Sequence, residues 1–342
     1  MSLSKEKREQ AKLYLLEQID ARNPDYIAKT ADNFGLTIQS VYRYLRELSE
    51  NGTIEKVGKT WRLHKETYQV CIPTADLQRY GDLYLSNLFR EYHIDKLPKN
   101  AVEIWDFCLG EMTNNVIDHS ESEETLAILL YDQLNTSVIL ADDGVGLFKK
   151  IMEHFHLASL DEAVAALFLG KLTTDEQNHS GEGIFFTSRL MDRFAAVSDG
   201  KVFAHSNFED TIQDLDANNE YISWRSWTGT IIEMSLSNST SKIAREIFDE
   251  FADVDGGFTR TTIALRHIFP GTPVSRSQAK RLSQRFTDFV EVTLDYQDIG
   301  WIGQGFAHEL YVVWQRSHPE VQLKSINANR DVERMIYHVL HS

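Results

Sequence analysis

The sequence is poor in cysteine and has no long apolar run. Cys71 and Cys108 are the only cysteines among 342 residues. Two are too few for a disulfide framework or a zinc site, so we expect both thiols to be reduced and packed. No apolar stretch approaches the roughly 18 residues that a membrane helix needs, and the first residues lack the apolar segment of a signal peptide. These absences predict a cytoplasmic protein without a membrane segment.

Net positive charge is also missing, because the formal net charge of the chain is −16 at pH 7. This balance argues against nonspecific nucleic-acid binding by the whole chain. The charge is uneven, however: residues 1–65 carry 12 Lys and Arg against 9 Asp and Glu, whereas the remainder carries 23 against 42. The asymmetry predicts a small basic module attached to a larger acidic body. The length allows two or three domains, each with its own core.

Residues 1–65 have the pattern of three short helices followed by a hairpin. Apolar residues recur at helical spacing from Lys7 to Ile19, Pro24 opens a second helix, and Thr37 is a suitable N-cap for a third. Residues 53–63 then read as two short strands. This order resembles the winged helix-turn-helix family, whose third helix enters the major groove of DNA.

The resemblance implies DNA as a partner and assigns two sets of contacts. Base edges would be read from the third helix, and phosphates would be contacted from the hairpin. The residues at these places are Gln39, Ser40 and Arg43 for the bases, and Lys56, Lys59 and Arg62 for the phosphates. The alternative is a winged helix used for protein contact, because a net charge of +3 is a modest electrostatic footprint. Winged-helix regulators often dimerise, which leaves a homodimer open.

A nucleotide-site pattern occupies the middle of the chain. Glu111 and Asn115 are four residues apart in a helix candidate, so their side chains share one face. A carboxylate beside a carboxamide oxygen can orient a water molecule and a hydrated Mg²⁺. Two apolar strand candidates follow, and the second leads into Asp142-Asp-Gly144-Val-Gly146. The glycines permit a sharp turn, and the aspartate can accept a hydrogen bond from an exocyclic amine.

In this order and spacing, these elements resemble the gyrase, Hsp90, histidine-kinase and MutL (GHKL) superfamily of ATPases. Gly181-Glu-Gly183 and Thr228-Gly229-Thr230 complete the resemblance, which covers residues 75–238. It implies a two-layer α/β sandwich of the Bergerat type that binds ATP and Mg²⁺. It also implies a mobile lid over residues 170–180, which include Lys171 and His179.

The resemblance gives each matching residue a role. Glu111 matches the general base that activates water or an acceptor hydroxyl, and Asn115 matches the ligand of Mg²⁺. Asp142 matches the aspartate that accepts a hydrogen bond from the adenine amino group. The other nucleotide contacts that the resemblance implies are Gly144 and Gly146 at the base, Gly181 and Gly183 at the phosphates, and Thr230 near the adenine.

The remaining elements of this region follow from apolar periodicity and turn residues. We expect an amphipathic helix from residue 75 and a hairpin that turns at Asp199-Gly200. We also expect further helices over residues 147–155, 160–169 and 184–194, and strands over residues 221–227 and from Thr230.

After a polar linker, strands and helices alternate over residues 259–342, which predicts a small parallel or mixed sheet with helical cover. The pattern resembles STAS-like domains, relatives of anti-anti-sigma factors. It departs from them in one respect, since residues 295–305 contain no serine or threonine for a phosphorylation switch. We therefore expect this unit to dock on the ATPase or on a partner protein.

The expected protein is a multi-domain α/β chain. It has a winged helix over residues 1–65, a connector with a helix over 66–100, an ATPase domain over 101–238, a linker over 239–258 and a STAS-like domain over 259–342.

Two functions fit this organisation. The first is an ATP- and Mg²⁺-dependent switch in a DNA-binding transcriptional regulator, in which the nucleotide controls domain docking. The alternative is a serine/threonine protein kinase of the anti-sigma type that acts on a partner. A sensor histidine kinase is disfavoured, because the only histidine in residues 66–110 is His93, which is not followed directly by an acidic residue.

Overall fold

A computed structural model describes residues 4–170, 182–205, 208–217, 222–252, 257–269 and 271–342. Over these residues the chain is a mixed α/β protein with sheets of two, six and three strands. No helix in these ranges combines the length and the apolar character needed to cross a bilayer.

The N-terminal unit packs three helices against a two-stranded antiparallel sheet. Ser4 and Thr37 cap the first and third helices, each accepting a hydrogen bond from a backbone N–H in the first turn. Val41, Leu45 and Leu48 are buried in its core, as the apolar spacing predicts, and Tyr44 is buried as well, although the spacing placed it on the presented face. The elements are α1 (Lys5–Asp20), α2 (Tyr26–Phe34), α3 (Ile38–Glu50), β1 (Ile54–Val57) and β2 (Thr60–Leu63).

The central unit is built on a six-stranded sheet in which every neighbouring pair is antiparallel. The strand order is β3-β4-β5-β8-β6-β7. Its elements are β3 (Glu66–Pro73), α4 (Thr74–Tyr80), α5 (Leu83–Tyr92), α6 (Lys99–Asn115), β4 (Glu124–Tyr131), β5 (Asn135–Asp142), α7 (Leu147–His154), α8 (Leu160–Leu169), α9 (Gly183–Leu190), β6 (Arg193–Ser198), β7 (Lys201–Ala204), α10 (Phe208–Ala217) and β8 (Thr230–Ser237). A π turn, Val116–Ser120, follows α6, and a 3-10 turn, Trp224–Ser226, precedes β8.

Several elements differ from the sequence expectation. Residues 66–73 belong to the sheet rather than to a connector, since they pair with all of β4. The helix expected from residue 75 is divided at Gly81, which has a φ of 80°. The helix expected to reach residue 194 ends at Leu190, because Arg193 and the next residue pair with β8. No strand forms over residues 222–227, where Trp224 instead donates a hydrogen bond to Asp216 of α10.

The two faces of the central sheet are covered differently. One face packs against α5, α6 and α8 in the largest hydrophobic cluster, which includes Leu129, Leu140 and Met234. The opposite face carries a smaller cluster around Ile139, which Leu215 of α10 covers. The unit therefore differs from the expected two-layer sandwich, because a helix also packs on the second face of the sheet.

The segment after β8 is anchored and not a free polar linker. Asn100 of α6 donates hydrogen bonds to the carbonyls of Thr240 and Lys242. The Lys242 ammonium in turn donates to the carbonyls of Leu190 and Met191, 3.0 Å from each, and so caps the C-terminal end of α9. The helix α11 (Ala244–Phe251) follows and packs against both α6 and α9.

The C-terminal unit has a three-stranded sheet that is entirely parallel, in the order β11-β10-β9. Helices cover it, and Phe286, Leu294 and Phe306 lie in its core. The elements are β9 (Arg260–Ala264), α12 (Leu265–Ile268), α13 (Arg276–Ser283), β10 (Glu291–Asp295), α14 (Gln304–His308), α15 (Gln315–Ser317), β11 (Gln322–Ile326) and α16 (Arg330–Leu340). The alternation of strands and helices agrees with the sequence prediction.

Candidate functional site

Three polar side chains form a row where neighbouring strands of the central sheet meet the helices. Asp142 at the end of β5 is paired with Thr125 of β4 on one side and with Thr230 of β8 on the other. Residues directly opposite each other in antiparallel strands point to the same face. Alternation along each strand places all three on the face that α6 covers. The sequence predicted Asp142 and Thr230 here but missed Thr125, which depends on strand register.

Hydrogen bonds fix the Asp142 carboxylate. Its Oδ1 accepts from the backbone N–H of Gly144 at 3.0 Å and from that of Thr230 at 3.3 Å. The Thr230 hydroxyl accepts from the backbone N–H of Leu147 at 3.0 Å. The start of β8 is thus joined to both ends of the glycine turn.

Burial is the main influence on the pKa of Asp142, a residue that is only 5% exposed. Loss of solvation raises the pKa of Asp142 to about 6, while the N–H groups of Gly144 and Thr230 act in the opposite direction. The group is therefore ionised at neutral pH but close to titration. A buried carboxylate that keeps its charge is typical of a functional site.

The glycines of the turn are required by close contacts. A Cβ on Gly144 would lie 1.8 Å from the Ser120 carbonyl oxygen, and one on Gly229 would lie 2.0 Å from the Asp142 carbonyl oxygen. The same Asp142 oxygen accepts a hydrogen bond from the indole N–H of Trp227. Gly146 has a φ of 86°, which favours glycine. Trp227 is a contact that the sequence did not reveal.

The Gly144→Ala variant is expected to be destabilised by roughly 1–3 kcal/mol, because the new methyl group would overlap a backbone atom that cannot rotate away. The matched control is Gly110→Ala in the middle of α6, where the nearest atom to the new methyl group would be 3.8 Å away. We expect that control to be neutral or more stable by about 0.5–1 kcal/mol. Chemical denaturation of both variants measures the difference, and equal stabilities would contradict the geometry of the turn.

The C-terminal end of α6 approaches the same turn. The π turn Val116–Ser120 follows Asn115 directly, and the Ser120 carbonyl accepts a hydrogen bond from the backbone N–H of Val145 at 2.8 Å. Asn115 is half-buried, and its amide group contacts the Met112 sulfur at 3.8 Å. The structure therefore joins the Asp142 turn to the π turn that begins directly after Asn115.

Glu111 faces the N-terminal end of α9. A Cβ on Gly183, the first residue of that helix, would lie 2.3 Å from Glu111 Oε2. Any side chain at residue 183 would therefore displace the Glu111 carboxylate from its present position. A cavity of about 320 Å³ adjoins the carboxylate, and its aromatic lining comes from α6, α9, α11 and Phe258.

Two further expectations concern the same region. Gly181 and residues 171–180 of the expected lid, which include Lys171 and His179, lie outside the described residues. Within the described ranges, no group of three or more His, Cys, Asp or Glu side chains is arranged to hold a metal ion. A metal here would therefore depend on few protein ligands, as Mg²⁺ often does.

The N-terminal unit presents most of its predicted contact residues to solvent. Gln39 and Arg43 are exposed on α3, while Ser40 is half-buried and shares a hydrogen bond with the Thr37 hydroxyl. The hairpin residues Lys56, Lys59 and Arg62 are all exposed. On α3, Ile38 and Tyr42 are also exposed, by 45% and 55%. The sequence analysis did not single out either residue.

The C-terminal unit has an ordered loop after β10, where the sequence has no serine or threonine. Asp295 Oδ1 accepts from the backbone N–H of Gln297 and from the side chain of Asn327, both at 2.9 Å. Gly303 packs so closely that a Cβ would lie 2.4 Å from the Val274 carbonyl oxygen. The parallel sheet, its helical cover and this loop define the unit.

Residues 278–333 match the model of a STAS-like domain of unknown function, DUF4325. The match begins in α13 and ends in α16, so it includes β10, β11 and the loop after β10. The chain therefore contains a C-terminal STAS-like domain. No curated protein matches the chain.

Proposed function

We propose that the central unit is a GHKL-type domain that binds ATP with Mg²⁺, and that the nucleotide switches a DNA-binding regulator. The observation that carries this proposal is the row of Thr125, Asp142 and Thr230 beside the end of α6. A buried ionised carboxylate, closely packed glycines and a helix with Glu111 and Asn115 are the groups that such a nucleotide needs.

The polar groups of the row fit an adenine base. Asp142 Oδ1 is already engaged by two backbone N–H groups, which leaves its other oxygen to accept from an exocyclic amine. The Thr125 hydroxyl is buried and has no hydrogen-bond partner among the residues that the structure describes. A buried hydroxyl in this state is satisfied by a ligand or an ordered water. The two glycines allow this close packing, because a Cβ at Gly144 or Gly229 would overlap the backbone carbonyl of Ser120 or Asp142.

The phosphate side of the site is supplied by α6 and α9. Asn115 would hold Mg²⁺ through its carboxamide oxygen, and the metal would neutralise phosphate charge. Glu111 would hold the attacking water and take its proton. The N–H groups at the start of α9 would face the phosphates, since a helix N-terminus favours anions.

The N-terminal unit is proposed to be a winged helix-turn-helix that binds DNA through α3. Its exposed face combines Gln39 and Arg43, which can read base edges, with Ile38 and Tyr42, which can make apolar contacts. Three basic residues on the hairpin provide phosphate contacts. The net charge of +3 is small, so the proposal of a DNA partner is based on this combination of exposed side chains and not on charge alone.

The two proposed sites are connected by the same strands. Strands β5 and β8 carry Asp142 and Thr230 at one end. At the other end, Asn135 of β5 donates a hydrogen bond to Asp20 of α1 at 3.0 Å, and Arg193, which belongs to β6 and is the β-pair partner of Ser235 in β8, forms an ion pair with the same carboxylate at 3.3 Å. A change at the nucleotide end can therefore alter how the N-terminal unit docks.

The experiment is a DNA titration with and without ATP and Mg²⁺, using the full chain and a duplex that it selects from a random pool. We expect the nucleotide to change the affinity for this duplex. Equal affinities in both conditions, from a protein that binds ATP, would contradict the switch.

Within this assay, Arg43→Ala is expected to weaken DNA binding by roughly 5- to 150-fold, because one bidentate base contact is worth about 1–3 kcal/mol. Arg245→Ala on α11 removes the same charge from an exposed position in another unit and should leave the affinity unchanged. Equal losses in both variants would indicate nonspecific charge attraction instead of recognition by α3.

A protein kinase of the anti-sigma type is the second candidate. The cavity beside Glu111 favours it, because an acceptor side chain could enter there and donate its hydroxyl proton to the carboxylate. ATP labelled at the γ-phosphate separates the two functions. Label on protein supports the kinase, whereas label in free phosphate supports the switch.

A further inference from the structure

The helix α9 touches both the proposed nucleotide site and the STAS-like domain. Its first residue, Gly183, abuts the Glu111 carboxylate. Near its other end, Arg189 donates a hydrogen bond to the backbone carbonyl of Thr262 in β9, at 3.0 Å. A single helix thus links the carboxylate to the STAS-like sheet, with five residues between Gly183 and Arg189.

The environment of Arg189 is unusual for a cation. Its Nη1 is 2.8 Å from His205 Nε2, and the guanidinium lies over the rings of Phe185 and Phe251, at 4.1 and 4.7 Å from their centres. Burial, reinforced by the charge of Arg189, lowers the pKa of His205 to about 3. The imidazole is therefore neutral, and its Nε2 accepts a hydrogen bond from the Arg189 guanidinium. In the described part of the chain, no carboxylate lies within ion-pair distance of this guanidinium.

Arg189 nevertheless stays charged at neutral pH, since burial lowers its pKa only to about 10. The free energy of a buried cation that is held by a carbonyl, an imidazole and two ring faces changes when any of these groups moves slightly. Arg189 Nε is buried and has no partner among the described residues, so its hydrogen bonding is not complete in this arrangement. A buried donor without a partner costs free energy, which disfavours this packing relative to one that satisfies the donor.

The surrounding interface also has room to adjust. Phe185 and Phe186 of α9 pack against Phe251 and Phe258, which lead into the STAS-like sheet. The cavity of about 320 Å³ lies in this same aromatic layer and opens beside Glu111. The pocket is partly open to solvent, so the aromatic side chains that line it are not closely packed on that side.

We infer that Arg189 is a positioning residue through which the STAS-like domain sets the placement of Gly183 against Glu111. The inference rests on the proposed function and specifies its regulation. Docking of β9 on Arg189 holds α9 where the Glu111 carboxylate is aligned. In the reverse direction, a nucleotide that engages the start of α9 changes how tightly β9 is held, because such coupling is reciprocal.

The test uses the full chain with Arg189→Met, which keeps an apolar stem against the two rings but removes the contacts to Thr262 and His205. Arg225→Met is the matched control, because Arg225 also lies over an aromatic ring and is exposed on another surface. Calorimetry measures ATP affinity, phosphate release measures turnover, and hydrogen exchange of residues 260–264 with and without ATP and Mg²⁺ measures the response of β9.

For Arg189→Met we expect ATP affinity within about threefold of the parent, turnover lowered about tenfold, and loss of the ATP-dependent change in exchange at β9. The control should behave as the parent does. An unchanged exchange response in Arg189→Met, or a loss of ATP affinity equal to the loss of turnover, would overturn the inference. If Arg189→Met does not fold, Phe251→Leu is used instead, because it removes one of the two rings beneath the guanidinium. We expect the same changes in turnover and in hydrogen exchange at β9 for that variant. Failure of the parent to bind ATP would instead refute the proposed function.

Discussion

Replacing Asp142 with asparagine is expected to abolish stabilisation by ATP and at the same time to stabilise the ligand-free protein. Asparagine keeps an oxygen to accept from the N–H groups of Gly144 and Thr230. It places an amide donor where the adenine amino group would donate, so we expect ATP affinity to fall at least 100-fold. It also removes a buried charge, whose desolvation is the main reason for the raised pKa of Asp142.

Thermal unfolding with and without ATP and Mg²⁺ measures both effects. The matched control is Asp132→Asn at the opposite end of the sheet, since Asp132 is also buried, has a raised pKa and accepts from the backbone N–H groups of Leu134 and Asn135. That variant should keep the full shift with ATP. A variant at Asp142 that loses ligand-free stability, or that keeps the shift, would contradict the assignment.

The stability difference between Asp142→Asn and the parent should depend on pH. The pKa of Asp142 is raised from 3.8 in the unfolded chain to about 6 in the folded one. Protonated Asp142 therefore contributes stability that is complete below pH 3.8 and is lost as the pH rises through 6. The advantage of the variant should approach about 3 kcal/mol above pH 7 and vanish near pH 4. Urea titrations across this range measure it, and a constant difference would indicate that the carboxyl is not buried in solution.

Glu111→Gln is the second prediction with a large effect. Glutamine preserves the shape of the side chain but cannot take a proton, so we expect turnover to fall by roughly 10²- to 10⁴-fold with ATP affinity nearly unchanged. Glu103→Gln lies two turns earlier on α6, where Glu103 pairs with Lys99 at the surface, and should behave as the parent does. Single-turnover phosphate release separates the two variants. Equal rates in Glu111→Gln and the parent would exclude Glu111 as the base.

The parts of the site that were predictable are those held by neighbours in sequence. The cap of α3 at Thr37, the turn after Asp142 and the start of β8 at Thr230 follow from local residue types. Residues 66–73 also alternate in polarity, with Tyr68, Val70 and Ile72 on one side, so the strand was visible in the sequence although the connector interpretation missed it.

The parts that were not predictable depend on contacts between distant segments. Thr125 joins Asp142 only through the register of two strands. The polar stretch around Lys242 resembles a linker, but its ammonium group caps α9. Trp224 has a strand-forming residue type, yet its hydrogen bond to Asp216 of α10 places it in a 3-10 turn. In each case, tertiary hydrogen bonds decide the local structure.

The most direct measurement is a calorimetric titration of the full-length protein with ATP at millimolar Mg²⁺. The proposal predicts saturable binding at one site per chain in the parent and in Asp132→Asn, and no binding in Asp142→Asn. A parent protein that takes up no adenine nucleotide under these conditions would contradict the assignment of this strand-end site.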